Sequence, residues 1–166
     1  MIAAVDVHYL DDSMAVAGAI VFSEYSDSLA YRTYIKEIYD VEDYIPGQFY
    51  KRELPCIMAI LGDIGEDIET VIIDGYVDLG EQPGLGHHLW KALNRSKNVI
   101  GVAKKYFRGS DPIKVFRGKS RQPLYVTSAG IEQTIAAGFI SQMYGKFRLP
   151  TLLKLADSLS RRFQII

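Results

Sequence analysis

Three acids stand where metal-assisted chemistry would need them. Asp6 ends the apolar run Ile2-Ala3-Ala4-Val5, and Asp74 ends Val71-Ile72-Ile73. Glu53 lies in Tyr44-Ile-Pro-Gly-Gln-Phe-Tyr-Lys-Arg-Glu-Leu-Pro55. Two of the acids close short hydrophobic strands, and the third opens a helix. Carboxylates so placed can converge at one edge of a sheet, where they repel one another unless a cation sits between them. Hard divalent cations such as Mg²⁺ prefer carboxylate oxygens and bind substrate phosphates as well. The pattern points to a metal-dependent phosphodiester enzyme.

The elements that must position these acids follow from hydrophobic pattern and turn signals. Strands are predicted over 2–8, 13–23 and 29–38, the first two separated by a turn at Asp11-Asp12-Ser13. A loop over 39–49 contains Pro46-Gly47, and a helix follows from about 52 to 62. A fourth strand covers 69–74, a helix 84–95 and a fifth strand 98–104. Residues 113–117 and 123–127 read as a short hairpin, and 130–144 and 149–162 as two closing helices. Three hairpin-linked strands followed by α/β crossovers predict an α/β fold. Its sheet is mixed, three antiparallel strands and then parallel ones, with helices on its faces. This order is that of the ribonuclease H-like architecture. There one acid lies on the first strand, one on the first helix and one on the fourth strand, the elements that carry Asp6, Glu53 and Asp74.

A chain of 166 residues, 48% apolar and 23% charged, is expected to fold as a single globular domain spanning 1–166. No apolar run approaches the ~20 residues of a membrane helix, and the N-terminus reads as a strand, not a signal peptide. The one cysteine, Cys56, reads as a small buried hydrophobe and fits a reducing, cytoplasmic setting. The net charge of −1 hides a division. Residues 1–90 hold 17 acids and 4 bases; residues 91–166 hold 3 acids and 15 bases. Such asymmetry suits a nuclease, with an acidic half for cations and a basic half for phosphates. Mutual neutralisation of two ordinary charged faces explains it equally well.

The residues around the three acids resemble those of the endonuclease V family, repair nucleases that cleave near deaminated adenine. Asp6-Val7-His8-Tyr9 is similar to its first-strand motif. Tyr44-Ile45-Pro46-Gly47 with Arg52-Glu53-Leu54-Pro55 is similar to its Tyr-Ile-Pro-Gly…Arg-Glu-x-Pro motif, the most distinctive match. Ile73-Asp74-Gly75, Ile100-Gly101-Val102-Ala103-Lys104, Pro123-Leu124-Tyr125-Val126 and Arg148-Leu149-Pro150…Ala156-Asp157 match further motifs in order along the chain. The chain also departs from the family. Tyr76 to Pro83 replaces a His-Pro-Arg segment, Ile131 stands where the family has the His of Ser-x-Gly-His, and Thr151-Leu152 replaces Glu-Pro.

The resemblance implies a metal-dependent endonuclease acting on DNA or RNA near inosine or deoxyinosine. Mg²⁺ is the expected cofactor, with Mn²⁺ as the alternative. Asp6 and Asp74 would be direct ligands, with Glu53 a third ligand or outer-shell base. Taken singly, each acid is more readily read as a cap on a loop or helix; all three on matching elements favour the metal site. Lys104, at the end of a strand expected beside that of Asp74, would reach a phosphate or steady the departing oxygen. Tyr44, Ile45, Pro46 and Gly47 would form a wedge that unstacks bases. Lys105 and Arg108, with Lys104, Lys114, Arg117, Lys119 and Arg121, would track the phosphate backbone. His87 and His88 suggest zinc only weakly, since no further ligand pair stands at the right spacing, and His88 reads as structural. A monomer without membrane contact is expected. The departures leave two alternatives open: a nuclease of the same scaffold with changed substrate preference, or a non-catalytic nucleic-acid-binding relative.

Overall fold

The computed structural model describes residues 1–162. Strand β1 (Ile2–Tyr9) reverses at Asp11, whose carboxylate accepts the backbone N–H groups of Ser13 and Met14 at 2.8 Å each. This Asx-type turn returns the chain antiparallel as β2 (Met14–Phe22), and β3 (Arg32–Tyr39) pairs antiparallel with β2. Helix α1 (Phe49–Leu61) then leads to β4 (Thr70–Asp74), which lies parallel to β1. A two-residue ribbon, β5 (Asp78–Leu79) with β6 (Gln82–Pro83), precedes α2 (Leu85–Ala92). Strand β7 (Asn98–Ala103) is parallel to β4, as the Lys104 reading required. The hairpin β8 (Ile113–Val115) and β9 (Leu124–Ala129) extends the sheet, with β9 antiparallel to β7. Helices α3 (Gln133–Gln142) and α4 (Thr151–Ser160) close the described chain.

The large sheet has seven strands in the order β3-β2-β1-β4-β7-β9-β8. It is mixed and flanked by helices, as the pattern predicts. Helices α1 and α2 cover one face, α3 and α4 the other. Strand alternation sorts the core accordingly. Ile2, Ala4, Ile72 and Ile100 pack with Ile140, Leu152 and Leu159 of α3 and α4. Ala3, Val5, Val71, Ile73 and Val99 pack with Ile57, Ile60 and Leu89 of α1 and α2. Central strands buried on both faces explain the uninterrupted apolar runs that precede Asp6 and Asp74.

Several element ends differ from expectation by two or three residues, among them the start of β3 at Arg32 and of α3 at Gln133. Helix α1 starts at Phe49, a turn before position 52, so Pro55 lies in its second turn and not near its start. Helix α2 stops at Ala92, short of 95, because Asn94 and Arg95 take left-handed conformations with φ of 55° and 58°. The β5–β6 ribbon is too short to leave any periodicity in the sequence. Among the described residues, no helix is long and apolar enough to cross a membrane.

Candidate active site

Register and alternation bring the first two acids together. Val5 pairs with Ile73 across the parallel β1–β4 ladder, so Asp6 and Asp74 are the next residues in step. Both continue the face lined by Ala4 and Ile72, the face that α4 covers. Adjacent strands lie about 4.8 Å apart, which sets the two carboxylates side by side. Asp74 in turn is in register with Val102 of β7, and Lys104 follows two residues on, toward the same face. These groups gather at the carboxyl ends of the parallel strands, where open α/β sheets form their clefts. Asp6, Asp74, Lys104 and Asp157 line that cleft, with Leu149 and Leu153 below them.

Glu53 arrives from the opposite face on α1. It is 8% exposed, and burial, then the charges of Asp6 and Asp74, push its carboxyl up to about 8. Among the described residues no cation pairs with it. Its neighbour Arg52 points elsewhere. The guanidinium lies 4.2 Å from the centre of the Tyr9 ring and donates to the carbonyl oxygens of Asp11 and Asp12 at 3.2 and 3.3 Å. Arg52 therefore pins α1 to the β1–β2 turn and leaves Glu53 uncompensated.

The other groups are partly satisfied. Lys104 Nζ donates to Asp74 Oδ2 at 2.7 Å. Burial alone would lower the Lys104 ammonium, but its bond to Asp74 and the nearby acids raise it. Ser160 Oγ lies 2.5 Å from Asp6 Oδ2 and 2.9 Å from the Asp157 carbonyl oxygen. Burial raises the Asp6 carboxyl, and the charges of Asp74 and Asp157 add to this against the opposing Ser160 bond. Asp157 itself ion-pairs with Lys154 at 3.2 Å and Arg161 at 3.0 Å. Burial works against its ionisation, yet these bonds hold its carboxyl below the usual range.

In the sequence Asp157 stands only at the end of the Arg148-Leu149-Pro150…Ala156-Asp157 motif, with no signal that assigns it to the site. Flanked by Lys154 and Arg161 at helical spacing, it reads as an ordinary helix-surface acid. Its place beside Asp6 depends on α4 lying across β1 and β2. Gly18, opposite Asp6, permits that approach. A Cβ at Gly18 would lie 3.0 Å from the Ser160 backbone nitrogen and 3.2 Å from the Ala156 carbonyl oxygen.

The donor set suits a hard divalent ion, since it consists of carboxylates, one of them buried and without a counter-charge. As they stand, no three His, Cys, Asp or Glu side chains among the described residues close into a cage around a point. One oxygen of Asp74 is held by Lys104 and one of Asp6 by Ser160.

The remaining predicted residues differ in exposure and in partners. Tyr44 is 58% and Ile45 44% exposed, in a loop where Gly47 takes φ of 76°. Phe49, at the start of α1, meets Tyr44 edge-on at 6.4 Å and Tyr9 at 6.1 Å. The loop is thus carried by the same helix as Glu53. Lys105 and Arg108 are exposed on the loop after β7. Arg117 is not part of a basic surface. It is buried and donates to the carbonyl oxygens of Met143, Gly145 and Phe147, tying the segment between α3 and α4. His88 stacks on Tyr50 at 3.6 Å, and His87 Nδ1 lies 2.8 Å from Asp78. Cys56 is buried, as expected of a small hydrophobe.

Comparison with known proteins points to one family. The sequence model of the family described as Endonuclease V matches residues 1–125. The chain is 25% identical over 184 residues to endonuclease V of Xanthomonas oryzae pv. oryzae strain PXO99A, covering 98% of this chain and 77% of the relative. Among solved structures it resembles endonuclease V from Bacillus subtilis, with a TM-score of 0.82 at 19% identity, covering 98% of this chain and 80% of that one. It also resembles Ciona intestinalis endonuclease V, solved in complex with a 24mer DNA containing an inosine followed by a ribo-adenosine. The TM-score there is 0.82 at 17% identity, covering 98% and 84% of the two chains.

Proposed function

The chain belongs to the endonuclease V family, and from that premise we propose that it is a metal-dependent endonuclease. It hydrolyses a phosphodiester bond of DNA or RNA near a deaminated base, inosine or deoxyinosine, and acts as a monomer in the cytoplasm. The observation that carries this reading is Glu53: a buried carboxyl, raised to about 8, that faces Asp6 and Asp74 with no cation of the described chain to balance it. Without metal a proton on Glu53 relieves this repulsion, and a divalent ion would take that proton's place. When bound, Mg²⁺ or Mn²⁺ would activate a water molecule and neutralise charge growing on the phosphate.

The chain's own residues have distinct tasks in this proposal. Asp6 and Asp74 hold the ion directly, and Glu53 holds it as a third ligand or accepts a proton from the attacking water. Asp157 stands beside Asp6 as a fourth acid. Lys104 shifts from Asp74 to a phosphate oxygen, where its fixed positive charge meets the charge that develops as the bond breaks. Tyr44, Ile45, Pro46 and Gly47 enter the nucleic acid as an aromatic and apolar wedge. Lys105 and Arg108 hold the backbone by charge.

A changed substrate preference on the same scaffold is the second reading. It is favoured by Ile131 in place of a histidine and by the altered segment Tyr76 to Pro83. One experiment separates the readings. Labelled single-stranded DNA and RNA, with and without one inosine, are incubated in Mg²⁺ or EDTA beside Asp74→Ala. Inosine-dependent cutting that is lost in EDTA and in the variant supports the first reading. Metal-dependent cutting indifferent to inosine supports the second. Binding without cutting leaves a non-catalytic relative.

A further inference from the structure

Next to the acids, and sharing Lys104 with them, a second cleft opens between the β7 loop and the β8–β9 hairpin. It is lined by Lys104, Lys105, Tyr106, Gln122, Tyr125 and Arg148 and encloses about 350 Å³, within the ~300–1,000 Å³ of small-ligand sites. Three of its six residues are cationic and none is acidic. Two are tyrosines, with ring centres 5.8 Å apart and planes inclined at 51°. Rings so inclined do not cover each other's faces as a parallel stack would. Tyr106 is 54% exposed.

The walls are fixed before any ligand arrives. Buried Tyr76 donates its hydroxyl to the Lys105 carbonyl at 2.8 Å and accepts the Phe107 N–H at 3.0 Å. Ser110 Oγ donates to the Phe107 carbonyl at 2.6 Å, which closes the loop. Arg148 donates through Nε and Nη2 to the Pro123 carbonyl at 3.2 and 2.7 Å, and through Nη2 to the Lys104 carbonyl. Its Nη1 has no partner among the described residues. The guanidinium is held in place by neutral carbonyls and keeps both its charge and free N–H donors. Gln122 offers an amide donor and acceptor at the rim.

Cations alternating with accessible aromatic faces match a ligand that alternates phosphates with flat bases. Inside a duplex both faces of a base are covered by its stacked neighbours, so the ligand that can offer a face to a tyrosine is an unstacked, single strand. We propose that this cleft is a nucleotide subsite. It stacks one unpaired base on the exposed ring of Tyr106, with Tyr125 at its edge, while Lys105 and Arg148 hold that nucleotide's phosphate, one step along the strand from the phosphate at Lys104. The assignment rests on the nuclease reading for its position relative to the cut and on the cleft's own chemistry for its ligand.

The test uses single-stranded oligonucleotides in EDTA, so that no cutting intervenes, with 2-aminopurine walked along the positions on either side of one inosine. The native protein is expected to quench the fluorophore severalfold at one position near the cut. Tyr106→Ala should abolish that quench and weaken binding about tenfold, in the range of one lost stacked base. Tyr106→Trp should restore both. Tyr106→Ala that quenches and binds as the native protein does overturns the subsite. Cleavage in Mg²⁺ is measured in parallel. Cutting without a quench at any position rejects the subsite and keeps the nuclease, whereas a quench without cutting keeps the subsite and rejects the nuclease. A native protein that neither binds nor cuts overturns both.

Discussion

Gly18 stands opposite Asp6 in the β1–β2 ladder, and α4 occupies the space where its side chain would be. That close approach is what carries Ser160 to the Asp6 carboxylate. Gly18→Val forces α4 away from the sheet. It is expected to destabilise the fold by about 1–3 kcal/mol, the usual range for overpacking, and to reduce cleavage further than the stability loss explains. Ser160→Ala keeps the helix seated and removes only the hydroxyl, so its stability change should be about 1 kcal/mol. Thermal melts and cleavage rates on both variants check this. Equal melts for Gly18→Val and the native protein would show that α4 can yield without strain.

Glu53 makes stability depend on pH in an unusual direction. Its carboxyl is raised from 4.5 to about 8 by burial and by Asp6 and Asp74. The folded state therefore holds a proton that the unfolded chain releases, and stability is greatest below pH 4.5 for this group and falls as pH rises through about 8. Other carboxylates titrate at low pH, so the window to watch is pH 5.5 to 8.5 in EDTA. Glu53→Gln should flatten the decline and raise stability at pH 8 by on the order of a few kcal/mol. Excess Mn²⁺ should raise the melting temperature of the native protein, and that of Glu53→Gln by less. A native melting curve independent of pH across this window would refute the account.

In the proposed mechanism Lys104 and a metal ion would compete for Asp74. Lys104→Met removes the 2.7 Å ion pair and is expected to leave Mn²⁺ binding equal or tighter by calorimetry. Cleavage should still fall about 10²–10³-fold through loss of the charge at the phosphate. Asp74→Asn should weaken both. Weaker metal binding in Lys104→Met would mean that the ammonium organises the carboxylates and does not rival the ion.

Tyr44→Ala removes an exposed ring in edge contact with Phe49. The fold should be unaffected within about 0.5 kcal/mol, as for other surface changes. Cleavage at a duplex inosine should fall more than cleavage of a single strand, because only the duplex needs its bases separated. Equal losses on both substrates would remove the wedge role.

The sheet was legible because its central strands are buried on both faces and read as apolar runs that stop at an acid. Asp6 and Asp74 were therefore visible as the acids that end those runs, although β1 itself continues past Asp6 to Tyr9, and Glu53 was visible through its motif. Asp157 and Ser160 were not, because helical periodicity says which face of α4 is apolar but not which strand it crosses. Gly18 was equally silent, since a glycine in a strand carries no mark of the helix that will press on it. Arg117 misled for a related reason. It lies in a basic stretch, and only tertiary packing turns it inward onto three carbonyl oxygens.

The hydrogen bond from Ser160 to Asp6 spans 154 positions of the chain. During synthesis, which proceeds from the N-terminus at about 5–20 residues per second, β1, α1 and β4 leave the ribosome well before α4 exists. A growing chain accordingly holds Asp6, Glu53 and Asp74 without the helix that covers and completes their cleft. For a protein read as cutting nucleic acid, this ordering leaves the cleft unfinished until α4 has been made, however early its three acids appear.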